Sequence, residues 1–123
     1  MTVSVQQLGQ LQELRDEPKF VEDLSIFYPG AETELGRIEA EVKVNALLDT
    51  LILELRSHAS KAYVLSRFKL LLATCRNFDS EDRDRLLRYL EQVMTIVGIE
   101  TSNELFNVWR YGLPYGWLPT GGK

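Results

Sequence analysis

The 123-residue sequence holds one cysteine, one histidine and four prolines. Nowhere does an apolar run approach the ~20 residues that a membrane span requires. A lone Cys75 excludes an intramolecular disulfide and fits a reducing compartment. In its apolar helical surroundings the thiol reads as buried and inert. His58 would have to serve any Ser-His-Asp or Cys-His apparatus, and Cys75 is its only thiol partner, across an apolar helix. One histidine also falls short of the three or four ligands of a zinc site. Glu54 and His58, four apart on a helix face, therefore read as a structural contact. The most apolar stretch, Ala46 to Leu55, is broken by Asp49 and Glu54. The opening MTVSVQQLGQ lacks the basic and apolar regions of a signal peptide, so a cytoplasmic location and no membrane partner are expected. Phosphate-loop, dinucleotide and nucleophile-elbow glycine patterns are missing. No catalytic residue, metal or cofactor is expected.

What is present is the composition of a soluble globular domain, 45% hydrophobic and 26% charged. A chain of this length suits one domain and buries enough surface to fold without a metal. Its formal charge of −4 argues against general nucleic-acid binding. That sum hides an asymmetry: residues 1–54 hold four basic and eleven acidic groups, while residues 55–123 hold ten basic and seven acidic.

Helical periodicity runs almost throughout, and no stretch shows the period-two, β-branched pattern of a strand. Val5, Leu8, Leu11 and Leu14 predict a short first helix ended by Pro18. Phe20, Val21, Leu24 and Phe27 predict a second, closed by the turn Tyr28-Pro29-Gly30. The longest helix begins near Glu32, with Leu35, Ile38, Val42, Leu48, Leu51, Ile52 and Leu55 on its stripe. Its later part is apolar over more than one stripe, which predicts contact from two sides. The next helix buries Val64, Leu65, Phe68, Leu71, Leu72 and Cys75. Asp79 or Ser80 caps the one after, which buries Leu86, Leu87, Leu90, Val93, Met94 and Val97 and stops at Gly98. Thr101 and Glu104 have capping-box spacing at the start of the last helix, and Gly112 ends it. The expected fold is all-α: a compact bundle of about four main helices plus one or two short N-terminal helices over residues 1–112. Residues 113–123 form an irregular Pro/Gly tail carrying Tyr115 and Trp117, two aromatics that suit docking on the body or on a partner.

Three local clusters carry possible chemistry. Asp79, Glu81 and Asp82 crowd a helix start, without the ligand alternation of a calcium loop. Arg83, Arg85 and Arg88 follow, with Asp79, Glu81 and Asp84 as partners at i, i+4, which predicts a salt-bridged face. Trp109, Arg110 and Tyr111 belong to the residue types most enriched at interface hot spots. The favoured reading is that Trp109 and Tyr111 anchor the last helix to the core while Arg110 faces water.

The stretch FDSEDRDRLLRYLEQVMTIVGIETSNELFNVWRYG resembles a family of small uncharacterised bacterial proteins known as a domain of unknown function. The matching positions are Asp79, Glu81, Asp82 and Arg83 at a helix start, then Tyr89, Gly98 and Ser102. Asn107, Trp109, Tyr111 and Gly112 close the pattern. Lys19-Phe20 and Tyr28-Pro29-Gly30 extend the resemblance over residues 19–113. Asn103-Glu104 departs from it, standing where the family has an Asp-Gly step. The resemblance implies an α-helical domain of bacterial origin and implies no activity.

The leading expectation is a non-catalytic interaction protein that binds another protein or itself. An immunity- or antitoxin-like protein, covering a basic partner with its acidic N-terminal half, is its specific form. Candidate interaction residues are Asp79, Asp82, Arg83, Trp109, Arg110, Tyr111, Tyr115 and Trp117. The alternative is a small enzyme or ligand binder using the Asp/Arg cluster at 79–88. Third comes a regulator binding nucleic acid through residues 67–88.

Overall fold

Helix α1 (Val5–Asp16) begins at a reciprocal cap. The Gln7 backbone N–H donates to the Ser4 hydroxyl at 3.1 Å, and the Ser4 N–H donates to the Gln7 side chain at 2.7 Å. Two otherwise free donors are satisfied at once. Leu8, Leu11 and Leu14 are buried as their spacing predicts. Val5 is instead exposed, at the open edge of a groove between this helix and Ile52. The helix ends before Pro18, with Glu17 extended as a pre-proline residue should be. The structure, a computed structural model, describes residues 1–112.

The chain then folds back under the helix it has left. Lys19 is 0% exposed. Its Nζ donates to the carbonyl oxygens of Leu14 at 2.6 Å and of Arg15 and Glu17 at 2.9 Å. A cation there satisfies carbonyls that the helix end leaves free and faces the negative end of its dipole. Burial pushes the Lys19 pKa down.

Residues 20–28 do not form the second helix that their apolar spacing predicts. They make a single 3-10 turn, Leu24–Ile26, closed by an antiparallel bridge between Asp23 and Tyr28. Phe20 and Phe27 take φ of +59° and +56°, a left-handed conformation that stops helix growth at both ends. Only Phe20 of the four predicted residues is fully buried, edge-on to Tyr89 at 5.2 Å and to Phe78 at 6.0 Å. Leu24 and Phe27 lie in solvent.

Helix α2 (Glu34–Glu54) starts at Thr33, whose hydroxyl accepts from the Gly36 N–H at 3.0 Å. It packs on α1 and on α3 (Lys61–Ala73), so it is contacted from two sides. Its buried line is Ala40, Val44, Leu47, Leu48 and Leu51, continued by Leu55. Leu35, Ile38 and Val42, expected inside, are exposed. Ser60 caps α3 through the Tyr63 N–H at 3.1 Å, and Val64, Phe68, Leu71 and Leu72 turn inward. Cys75 follows it, buried, with its thiol pKa pushed up by that burial.

Helix α4 (Ser80–Val97) is capped by Asp79, which accepts from the Asp82 N–H at 2.8 Å, and stops at Gly98 with φ of +83°. Tyr89 joins its buried face, while Leu87 is only half-buried. Helix α5 (Leu105–Tyr111) differs from expectation at its start. Thr101 accepts from the Asn103 N–H at 3.1 Å, a local turn rather than a capping box. Asn103 and Glu104 both take positive φ, and Glu104 makes no side-chain cap. Gly112, φ +84°, ends the helix.

Side chains from all five helices share one apolar core. Among the described residues there is no strand, and no helix is long and apolar enough to cross a membrane. The fold is all-α, as the periodicity predicts.

Candidate functional site

The loop between α1 and α2 is held against α4 by polar contacts centred on Arg85. Its guanidinium lies over the rings of Tyr28 and Tyr89, 5.2 Å from each centroid. It also donates to Asp23 at 3.0 Å and to the Tyr89 hydroxyl at 3.1 Å. The same hydroxyl accepts from the Phe20 backbone N–H at 2.8 Å, and the Tyr28 hydroxyl donates to Asp82 at 2.7 Å. Burial and then the Asp82 bond raise the Tyr28 pKa; burial raises that of Asp82. Hydrogen bonds from Ser25 and Arg85 hold Asp23 below the usual carboxylate range. Burial works against the Arg85 charge, but Tyr89 and Asp23 outweigh it.

The remaining sequence-selected residues are also engaged within the chain. Arg83 donates to the carbonyl of Phe78 at 2.8 Å and to that of Arg76, and stacks on Trp109 at 5.5 Å. Trp109 donates its indole N–H to the Leu72 carbonyl at 2.9 Å, tying α5 to α3. Arg110 pairs with Asp84 at 2.8 Å and covers the Tyr111 ring at 5.1 Å. The helical pairs predicted for these arginines give way to longer-range ones: Arg85 meets Asp23, and Asp84 meets Arg110 rather than Arg88. Tyr115 and Trp117 lie outside the described residues.

What this framework leaves open is a trough along the outer face of α4. One part, about 300 Å³, is lined by Ile26, Phe27, Tyr28, Glu81, Arg85 and Arg88, among others. The next, about 310 Å³, runs past Leu87 and Phe106 to Arg110 and Tyr111. Asp84 and Glu91 belong to both. Phe27, 92% exposed, stands at one end, and half-exposed Tyr111 at the other. Arg88 makes no hydrogen bond or ion pair with any described residue and projects into this space. The structure thus joins Tyr111 and Arg110 to a surface with Arg88, from the arginine cluster picked out in the sequence, and with Phe27 and Glu91, which sequence reasoning did not select. Asp82 and Arg83 line neither part. Phe27 escaped notice because its spacing from Leu24 mimics a buried stripe; Tyr28-Pro29-Gly30 was the signal that a loop, not a helix, carries it.

Nucleophiles and ligands are scattered. His58 is exposed at the end of α2, 4.0 Å from Glu54, and Cys75 is buried elsewhere. Among the described residues no three His, Cys, Asp or Glu side chains gather into a metal-binding group.

No curated protein matches the chain. Among solved structures, its fold is similar to the crystal structure of a DUF3571 family protein from Acinetobacter baumannii AYE. The TM-score is 0.77 at 24% identity, covering 86% of this chain and 89% of that one, a likeness of fold alone. The sequence itself matches a domain of unknown function over residues 2–114, and on that match the chain belongs to the DUF4844 family.

Proposed function

We propose that this is a non-catalytic protein-interaction module whose partner seats in the trough between Phe27 and Tyr111. The observation that carries the reading is Phe27, an almost fully exposed aromatic at positive φ on a loop locked from behind by Arg85 and Tyr28. A large apolar ring held rigidly in water is costly to the free protein and suits an interface anchor. Glu81, Asp84 and Glu91 line the trough. Arg85, Arg88 and Arg110 line it as well, so the trough itself suits a partner of mixed charge; the immunity- or antitoxin-like form of the proposal, in a bacterial cytoplasm, rests on the acidic N-terminal half. Of the candidate residues, Tyr111 and Arg110 belong to the contact itself. Asp79, Asp82, Arg83 and Trp109 hold its walls.

Affinity capture with the full chain tests this. One stoichiometric partner should be retained by the wild type, released by salt, and lost on Phe27→Asp. Stability should stay within about 0.5 kcal/mol, since the side chain is in solvent. Capture unchanged by Phe27→Asp and Tyr111→Ala, or no stoichiometric partner at all, overturns the reading.

A second reading, small-ligand binding, is favoured by the position of Arg85 and Arg88 in the first part of the trough. That volume is at the lower limit of ligand pockets. Saturable binding of a small carboxylate or phosphate, lost on Arg88→Ala, would establish it in place of the first.

A further inference from the structure

We infer that the outward face of α2 pairs with the same face of a second copy of this chain, antiparallel, about a two-fold axis level with residue 44. Four apolar or small residues lie exposed along that face: Leu35 (68%), Val42 (59%), Ala46 and Leu53 (72%). At about 100° per residue they fall within about 40° of one another, on the side of the helix opposite Ala40, Val44, Leu47 and Leu51. Their spacing reads the same in both directions, so reversing the helix superposes the row on itself. An isologous contact demands that self-complementarity. In the antiparallel pair Leu35 of one copy meets Leu53 of the other at each end. Val42 meets Ala46 on both sides of the axis, where the small side chain lets the helices approach closely.

The charges agree with this direction. Glu32 and Glu34 are exposed at the N-terminal end of α2, and Arg56 is exposed just past its C-terminal end. In this register Glu32 is level with the partner's Arg56, while Glu34 is held by Arg37 at 2.7 Å; parallel pairing would instead set Glu32 against Glu32. It also opposes the two helix dipoles favourably. Glu39 and Asp49 fall on opposite edges of the row, and Asp49 is already paired with Arg15 at 3.0 Å. Exposed Ile38 and, on α3, exposed Leu70 widen the apolar area beside it. This face is remote from the trough on α4, so self-association leaves Phe27 free for a different partner.

Sedimentation equilibrium of the full chain over a wide concentration series tests the proposal. A reversible monomer–dimer equilibrium is expected. Val42→Asp and Ala46→Asp should each weaken it by about tenfold or more, since every substitution occurs twice per dimer. Arg56→Glu should weaken it too, and adding Glu32→Arg to the same chain should restore it. If a charge variant unfolds, Val42→Cys with Ala46→Cys answers instead: oxidation should give a covalent dimer while buried Cys75 stays reduced. A chain that stays monomeric throughout overturns the proposal. So does a dimer indifferent to Val42→Asp and Ala46→Asp, or one dissolved by Phe27→Asp.

Discussion

Arg85 and Tyr89, one turn apart on α4, hold each other in place: the guanidinium donates to the phenol oxygen at 3.1 Å while covering the same ring at 5.2 Å. Through this pair the loop of residues 20–28 acquires a fixed position. The Tyr89 hydroxyl takes the Phe20 N–H and Arg85 takes Asp23, so the first half of the loop meets one turn of helix.

Arg85→Met should therefore cost about 2–4 kcal/mol in urea denaturation, because Asp23 and a buried phenol lose a charged partner. A double-mutant cycle with Tyr89→Phe should show coupling of about 1 kcal/mol. Full additivity would show that the two act separately.

The two carboxylates of this framework oppose each other in pH dependence. Asp82 titrates above its unfolded value, so its contribution is full below that value and is lost as pH rises through the folded pKa. Asp23 titrates below its unfolded value, so its contribution is present above that value and is lost as pH falls through the folded pKa. On acidification, stability should first rise slightly and then fall. In Asp23→Asn the later fall should be reduced, and in Asp82→Asn the early rise should disappear, as followed by denaturant midpoints from neutral pH into the acid range.

Lys19→Met keeps the length of the side chain but removes three donors from buried carbonyls. A loss of about 2–4 kcal/mol is expected. Amide exchange should show the last turn of α1 opening before the rest of the molecule. Uniform opening would mean that the lysine does not act as a local cap.

Glu104 sits at φ +69°, in the left-handed region that glycine enters most readily. Glycine accepts that conformation without a Cβ clash, at the expense of greater freedom in the unfolded chain. Glu104→Gly should stay within about 1 kcal/mol of the wild type. Glu104→Val, β-branched in the left-handed region, should lose about 1–2 kcal/mol by thermal denaturation.

Much of the fold was legible because helix ends are local. Asp79 before α4, and Gly98 and Gly112 after α4 and α5, act within four residues of themselves, and the structure has each cap or stop where the sequence shows it. Ser4-x-x-Gln7 carries the same kind of signal for α1. The α5 start was misread for a related reason. Thr101 and Glu104 have the right spacing, but two residues at positive φ between them and the helix turn the chain out of register.

Periodicity in the sequence marked six segments to coil, of which five do so and residues 20–27 do not, and it marked where most would stop, because those choices rest on hydrogen bonds within a turn. It could not determine which apolar residues go inside. Leu35 and Val42 repeat as regularly as Val44 and Leu51, and only the positions of α1 and α3 around α2 decide between them. Arginine partners are decided in the same way. Asp23 lies 62 residues from Arg85, and Tyr89 lies 69 from Phe20, so these contacts exist only after the chain has folded back. Phe27 is the clearest case: an aromatic in an apolar pattern that tertiary structure leaves in water, because Asp23 and Tyr28 on either side of it fix the loop on α4.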